Sequence, residues 1–359
     1  MHVIPEPSGG GAEKLVAELH AEALRQGRDS HVVYLSSPRF LDSGKRSKNT
    51  YFLGFKHFHD PVVIMKLRRT IKRLSRHREN CVVHAHLTWP FFFVPFATAF
   101  LGVQLVFTEH NTTNKRRRLH YWRFVEALFY ARYRAIICIS CACRDSLLSW
   151  LPLRRMRDSC VVVYNGVRLF PFAPRRPKRD SDYHVVSVGS LTSQKGFDIA
   201  IRALAAPALH QITYNIVGTG PNLPALKALA RSLGVEDRVT FAGWSDDVES
   251  FLLNSDLCLI PSKWEGFGLV AVEALSTGLP VVASDVPGLA EVIAHCKAVR
   301  SFRVGDVDSL VQVLSSFLCD LNSGLSVDKE ARARAEQFSF DKMFDGYWRQ
   351  YKQICESNL

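Results

Sequence analysis

Ser262-Lys-Trp-Glu-Gly-Phe-Gly-Leu-Val-Ala-Val-Glu273 lies between an apolar run, Asp256-Leu-Cys-Leu-Ile-Pro261, and a periodic stretch over Leu269 to Leu275 that reads as a helix. The order is strand, glycine-bearing loop, helix N-terminus, which is the local pattern of an α/β fold. Gly266 and Gly268 let the backbone turn tightly and come close to a ligand. The amides that open the helix, with its dipole, favour an anion. Glu265 and Glu273 frame this loop with seven residues between them. Amides for a phosphate beside carboxylates for hydroxyls suit a nucleotide-sugar ligand.

Working outward, the chain alternates strand-like and helix-like segments throughout, so parallel sheets covered by helices are expected. Short apolar runs mark strands at His2–Ile4, His31–Leu35, Cys81–His84, Val103–Phe107, Ala135–Ile139 and Val161–Val163. Ser8 to Gly11 reads as a loop and Ala12 to Gln26 as a helix, while Asp42 to Tyr51 is polar and reads as a mobile loop. Phe170 to Asp182 is rich in proline and charge and reads as a linker. The alternation then restarts at His184–Val188, Tyr214–Val217, Val239–Ala242, Leu257–Ile260 and Val281–Ala283. Asp341 to Ile354 closes the chain as an aromatic-bearing helix. The expected division is 1–170, a linker at 171–183, a second domain at 184–335, and 336–359 as a helix returning to the first domain. Two doubly wound domains would create a cleft, with ligands at the carboxyl ends of the strands.

The chain has 359 residues, long for one core, which fits two domains. Met1 is followed by His-Val-Ile-Pro rather than by a basic and then a long apolar region, so no secretory signal is read there. Nine cysteines without a framework spacing fit reduced thiols in a cytosol. Cys138, Cys141 and Cys143 lie close together, but no second Cys or His cluster in the sequence completes a zinc site. Leu87 to Thr108 carries no charge, yet Pro90, Pro95, Gly102 and Gln104 divide it into a short buried helix, a turn and a strand rather than a membrane span.

Charge is unevenly spread. Residues 1–170 hold 27 Lys and Arg against 12 Asp and Glu, a net +15 in a chain whose total is +12. The excess concentrates in Lys66 to Arg78, where Leu67, Ile71 and Leu74 recur at helical spacing, and in Lys115 to Arg134. The second stretch mixes Arg116, Arg117, Arg118 and Arg123 with Leu119, Tyr121, Trp122 and Phe124. Basic residues interleaved with aromatics suit an anionic membrane surface. A nucleic-acid partner or a solvated face are the alternatives.

Other motifs gain weight in combination. Ser187-Val-Gly-Ser-Leu-Thr-Ser-Gln-Lys-Gly-Phe197 places Lys195 where it could neutralise a diphosphate. Asn215-Ile-Val-Gly-Thr-Gly-Pro221 begins like a dinucleotide fingerprint but carries Leu223 in place of the third glycine, which argues against a nicotinamide cofactor. Gly218 there fits a structural turn bordering a ligand. Thr108-Glu-His-Asn111 ends a strand and offers His110, for which contact with reacting sugar or phosphate groups and a purely structural place are both open.

Taken together, the chain resembles the retaining glycosyltransferases of the GT-B fold, family 4, over nearly its whole length. The resemblance is carried by Gly9-Gly-Gly-Ala-Glu13, Thr108-Glu-His110, Ile139-Ser140, Tyr164-Asn-Gly-Val167, Lys195-Gly196, Val217-Gly-Thr-Gly-Pro221, Phe241-Ala-Gly243, Glu265 to Glu273 and Asp285-Val-Pro-Gly-Leu-Ala-Glu291. It implies two Rossmann-like domains facing across a cleft. It also implies that Glu265 bonds donor-sugar hydroxyls beside the amides of Gly266, Phe267 and Gly268, and that Glu273 accepts from ribose hydroxyls. Lys195 would stabilise the diphosphate, Gly10 and Gly11 would touch phosphates or acceptor, and His110 would line the reaction centre. The base would lie near Gly243 and Trp244. No metal or other cofactor is implied, and the nucleotide diphosphate sugar is a substrate. The chain departs from the family at Ser190, where many members carry an arginine on the diphosphate. Ser190 can donate one hydrogen bond but no charge.

The resulting expectation is a retaining hexosyl transfer to a hydroxyl of a lipid-linked glycan, by a cytoplasmic protein held peripherally on anionic membrane, with no nucleic-acid partner. A soluble acceptor is the second reading. A non-catalytic nucleotide- or nucleic-acid-binding protein on the same fold is the third.

Overall fold

Strands that are apolar on both faces must be covered on both faces. Val32–Tyr34 and Leu257–Ile260 are buried at every position. A computed structural model describes residues 1–7, 10–37, 48–57, 60–76, 80–112, 117, 119–151, 157–174 and 182–356. The chain divides into two units, Met1–Val163 with Phe344–Leu359, and Tyr164–Met343.

In the first unit the order is β1 (His2–Ile4), α1 (Gly11–Arg25), β2 (Val32–Tyr34), β3 (Thr50–Phe52), α2 (Val62–Ser75), β4 (Val82–His86), α3 (Thr88–Ala97), β5 (Gln104–Glu109), α4 (Trp122–Tyr130), β6 (Ala135–Cys138), α5 (Cys141–Trp150) and β7 (Cys160–Val162). The seven strands form one parallel sheet in the order β3-β2-β1-β4-β5-β6-β7. Helix α2 buries Val63, Leu67, Ile71 and Leu74, a stripe at helical spacing that turns its cations outward. The segment from Leu87 is the ten-residue helix α3 followed by a turn and β5. Among the described residues no helix is long and apolar enough to cross a membrane.

In the second unit the order is β8 (Tyr183–Val188), α6 (Phe197–Leu204), β9 (Ile212–Val217), α7 (Leu223–Ser232), β10 (Val239–Gly243), α8 (Val248–Leu253), β11 (Leu257–Ile260), α9 (Leu269–Ser276), β12 (Val281–Ser284), α10 (Pro287–Ile293), β13 (Val299–Phe302), α11 (Val307–Asn322), α12 (Asp328–Ala335) and α13 (Phe340–Glu356). Its six strands are parallel in the order β10-β9-β8-β11-β12-β13. Tyr183, Phe197, Tyr214, Leu257 and Phe317 belong to one buried cluster between sheet and helices. From Phe344 onward the residues of α13 belong to the first unit, where the Tyr351 hydroxyl meets His84 Nδ1 at 2.6 Å.

Two expectations are corrected. The polar stretch ending at Tyr51 is not all loop, because Thr50–Phe52 adds edge strand β3 beside β2; residues 42–47 of that stretch lie outside the described residues. Residues 164–170, expected with the first domain, cluster with the second unit. The reason is local: Val167 pairs with Ser339, and Phe170 N–H donates to Ser276 Oγ at 3.0 Å. Most of the proline-rich linker, 175–181, falls outside the described residues.

Candidate functional site

In the second unit the strand order reverses between β8 and β11, and in a doubly wound sheet the crevice for a ligand opens at such a point, outside the carboxyl ends of the strands. The loop after β8 carries Lys195 and the loop after β11 carries Glu265. Their side chains meet, with Lys195 Nζ donating to Glu265 Oε1 at 2.5 Å. Ser262 Oγ donates to the same oxygen at 2.7 Å. The two loops are also tied by backbone, Lys263 N–H to Gln194 O at 2.7 Å. Gly196 makes this approach possible. It sits at φ +65°, and a Cβ there would meet Pro261 O at 1.9 Å. Gly268 caps α9 at φ +90°, where a Cβ would meet Leu289 Cδ2 at 2.2 Å. The opening N–H groups of α9 therefore lie on the same loop as Glu265, and helix N-termini of this kind favour anions.

The remaining predicted residues of this unit follow strand ends as well. Ser190 is exposed after β8. Gly218 follows β9, and its N–H donates to Gly243 O at 2.6 Å, extending the pairing of β9 with β10 by one residue. Trp244 follows β10 and is 67% exposed. Gly266 is partly buried, and Glu273 is partly buried on α9. Phe267 points inward: it is buried, with ring centroids 6.1 Å from Tyr164 and 5.4 Å from Phe338. Its ring is thus part of the packing under the loop, and only its backbone is available beside Glu265.

In the first unit the reversal falls between β1 and β4. Gly10 is the extended N-cap of α1 and Gly11 its first residue. Ser8 and Gly9 lie outside the described residues. His110 follows β5, and its Nε2 lies 3.3 Å from His86 Nδ1. Glu109 beside it is buried and accepts from Tyr130 OH at 2.6 Å and from Arg117 Nη2 at 3.2 Å. Arg117 is therefore not one of the surface cations it was counted among; its side chain is 10% exposed. The rest of its run, Lys115, Arg116 and Arg118, lies outside the described residues, as do His77 and Arg78.

Three site neighbours were not anticipated: His2, His84 and His86. The alternation His84-Ala-His86 puts both rings on one face of β4, and sheet pairing of His2 with His84 brings in the third. His2 Nδ1 lies 3.0 Å from His86 Nε2. His84 Nε2 lies 2.7 Å from Thr108 Oγ1. The three rings have nitrogens within 4.8 Å of one another, close enough to be considered as a metal site. Their arrangement does not converge on one point. His84 stacks on His86 with centroids 4.1 Å apart at 30°, whereas His2 meets His86 edge to edge, nitrogen to nitrogen, with centroids 5.3 Å apart at 29°. Ring lone pairs lie in the ring plane, so those of the stacked pair and those already facing a neighbour's nitrogen are not aimed together at one ion. Burial drives the pKa of His2, His84 and His86 well below 6.5 and that of His110 down to about 4, so these rings are neutral near pH 7.

The surface of this unit carries a second feature. On α2, Lys66, Arg69, Lys72, Arg73 and Arg76 at its end are exposed. Helix α3 packs on α2 and contacts α4. At α4 and its N-cap, Tyr121, Phe124 and Leu128 stand at i, i+3 and i+7, 61%, 62% and 71% exposed, with Phe96 of α3 at 57%.

Residues 172–334 match the profile of the family described as Glycosyl transferases group 1, and residues 9–169 match that of Glycosyltransferase Family 4. An N-acetyl-alpha-D-glucosaminyl L-malate synthase of Bacillus anthracis is 34% identical over 144 residues, 40% of this chain and 38% of that protein. The O-antigen biosynthesis glycosyltransferase WclY of Escherichia coli is 32% identical over 129 residues, 36% of this chain and 35% of that one. The matches thus span less than half the length of these curated relatives. Among solved structures, Anabaena Alr3699/HepE in complex with UDP and glucose superposes with a TM-score of 0.82 at 20% identity, covering 98% of each chain.

Proposed function

The chain belongs to the group 1 glycosyltransferases, with the two-domain GT-B fold, and from that premise we propose that it transfers a hexose from a nucleotide diphosphate sugar, with retention, to a hydroxyl of a lipid-linked glycan. The observation that carries this reading is the Lys195–Glu265 pair beside the N-terminus of α9. Without ligand the cation and the carboxylate neutralise each other. A diphosphate sugar would separate their tasks. Lys195 and the α9 amides would take the diphosphate charge, and Glu265 would turn to the sugar hydroxyls. Glu273 would hold the ribose, Gly10 and Gly11 the phosphates or acceptor, and His110 the reacting groups. A lysine and helix amides aimed at the leaving group supply electrostatic stabilisation of the kind a divalent cation supplies elsewhere, so we propose turnover independent of added metal. With Ser190 giving no charge, Lys195 carries most of that duty.

Retention would proceed on one face of the sugar. The bond from the anomeric carbon to the diphosphate oxygen breaks, that oxygen accepts the acceptor proton, and the acceptor oxygen bonds on the same side. Two relatives support the substrate classes: the Anabaena protein was solved with UDP and glucose, and the E. coli protein serves O-antigen biosynthesis. The exposed aromatic stripe at α4 and the exposed cations of α2 support a peripheral seat on anionic membrane, where a lipid-linked acceptor would be met.

The test is release of nucleotide diphosphate from UDP-, GDP- and ADP-hexoses in the presence of lipid-linked acceptor, with and without a chelator. Turnover that survives chelation and collapses in Glu265→Ala is expected, with the anomeric coupling of the product reporting retention. Near-normal turnover in Glu265→Ala would remove Glu265 from the active role, and efficient transfer to soluble glycans alone would favour the soluble-acceptor reading.

A further inference from the structure

Three imidazoles of the first unit lie in series. His2 Nδ1 faces His86 Nε2 at 3.0 Å, and the other nitrogen of His86, Nδ1, faces His110 Nε2 at 3.3 Å. The carbon skeletons hold these facings. His84 stacks on His86 at 4.1 Å and is itself pinned at both nitrogens, by Tyr351 OH at 2.6 Å and Thr108 Oγ1 at 2.7 Å. His2 and His84 are register partners in the sheet. A neutral imidazole has one N–H and one lone pair. Two lone pairs facing at about 3 Å repel, and two facing N–H groups leave buried donors unmatched, so each contact must hold a single proton.

We propose that His2, His86 and His110 form one tautomeric relay, in which His86 is a positioning residue that fixes which nitrogen of His110 carries its proton. Only two arrangements satisfy both contacts. In one, His110 Nε2–H donates to His86 Nδ1 and His86 Nε2–H donates to His2 Nδ1, so all three rings are protonated at Nε2. In the other, His2 Nδ1–H donates to His86 Nε2 and His86 Nδ1–H donates to His110 Nε2, so all three are protonated at Nδ1. The first leaves His110 Nδ1 as an acceptor and the second leaves it as a donor. The burial that keeps these rings neutral removes the third, doubly protonated option near pH 7. The consequence for turnover rests on His110 touching the reacting groups, as proposed above, but the relay itself does not.

The experiment is long-range 1H–15N correlation of the full chain labelled at histidine nitrogens, at pH 7. The expected result is one shared tautomer for His2, His86 and His110. Rings of differing tautomer, or a charged ring among the three, would overturn the relay whatever the turnover. Two variants separate the role from packing. In His86→Asn the amide can occupy the Nδ1 position and either donate or accept, so His110 should keep a single tautomer. In His86→Phe the ring volume stays but the partner is gone, so the nitrogen shifts of His110 should move to the average of both tautomers. The same His110 spectrum in His86→Phe as in the wild type would also sink the proposal. Where His110 serves the reaction, His86→Phe should lower kcat on the order of a hundredfold with little change in KM, and His86→Asn should recover most of it. Unchanged kcat with averaged His110 shifts would leave the relay standing and dismiss His110 from catalysis.

Discussion

Lys195 and Glu265 are 70 residues apart in sequence and 2.5 Å apart in space, held by loops that leave adjacent parallel strands on either side of the point where the sheet reverses its order. Both side chains are largely buried, 21% and 9% exposed. A buried pair contributes little net stability against an apolar replacement, but losing one partner strands the other charge. On the proposed function, the pairing is a preformed site whose two members would be released to different parts of one ligand.

The first prediction follows for Lys195→Ala. Ligand at a hundred times its dissociation constant should stabilise the wild type by about 2.7 kcal/mol, seen as a rise in Tm with one of UDP, GDP or ADP. In Lys195→Ala the ligand-free protein should lose about 3 kcal/mol, because the buried Glu265 carboxylate loses its cation. Its rise in Tm with nucleotide should shrink. A ligand-induced rise equal to that of the wild type would take Lys195 off the diphosphate.

The loop contact itself can be tested through Gly196. Its φ of +65° is costly for any side chain, and a Cβ would press on Pro261 O at 1.9 Å. Gly196→Ala should destabilise by about 2 kcal/mol or more in denaturant unfolding. It should also reduce nucleotide binding, because separating the loops pulls Lys195 from Glu265. Unaltered stability would mean that the two loops do not approach this closely in solution.

What was legible in the sequence was what is local. Gly268 announces the turn into α9 because its φ of +90° selects for glycine, and the run Leu257–Ile260 announces β11 because a strand covered on both faces has no polar positions. Strand β3 was hidden because its three residues are all only partly buried and its neighbour β2 lies across a polar stretch. Arg117 looked like one more surface cation because its partner, Glu109 at the end of β5, becomes visible only in the folded chain. The histidine series was partly legible, since His84 and His86 share a strand face by their spacing. That His2 joins them depends on β1 pairing with β4, a crossover that composition cannot reveal.

A third prediction concerns the outward stripe of α4. Tyr121, Phe124 and Leu128 pack against little of their own unit, each more than 60% exposed. Phe124→Ser with Leu128→Ser should therefore change stability by no more than about 0.5 kcal/mol. Liposome co-sedimentation on vesicles rich in acidic lipid should fall several-fold. Charge reversal at Lys72 and Arg73 should weaken binding at low salt by about 1 kcal/mol per cation and less at high salt. Binding indifferent to acidic lipid and to salt would sink the membrane reading.

The last prediction is acid lability of the first unit. His110 is lowered from 6.5 to about 4 by burial, and His2, His84 and His86 are lowered well below 6.5, by burial first and then by the N-terminal ammonium for His2 and by neighbouring imidazoles for His84 and His86. Between these values and 6.5 the unfolded chain binds protons that the folded chain refuses, so stability rises with pH across this window and is lost as pH falls through it. For His110 alone the depression corresponds to roughly 3 kcal/mol, fully lost below about pH 4. Above pH 7 all four rings are neutral in both states and contribute no slope. Urea unfolding should therefore give a flat free energy from pH 7 to 8 and a steep decline below pH 6, with more than one proton taken up on unfolding at pH 5. The variant His84→Gln, which can keep a bond to Thr108 without a titrating ring, should flatten that decline, and an equal slope in this variant would mean that His84 titrates normally in the folded protein.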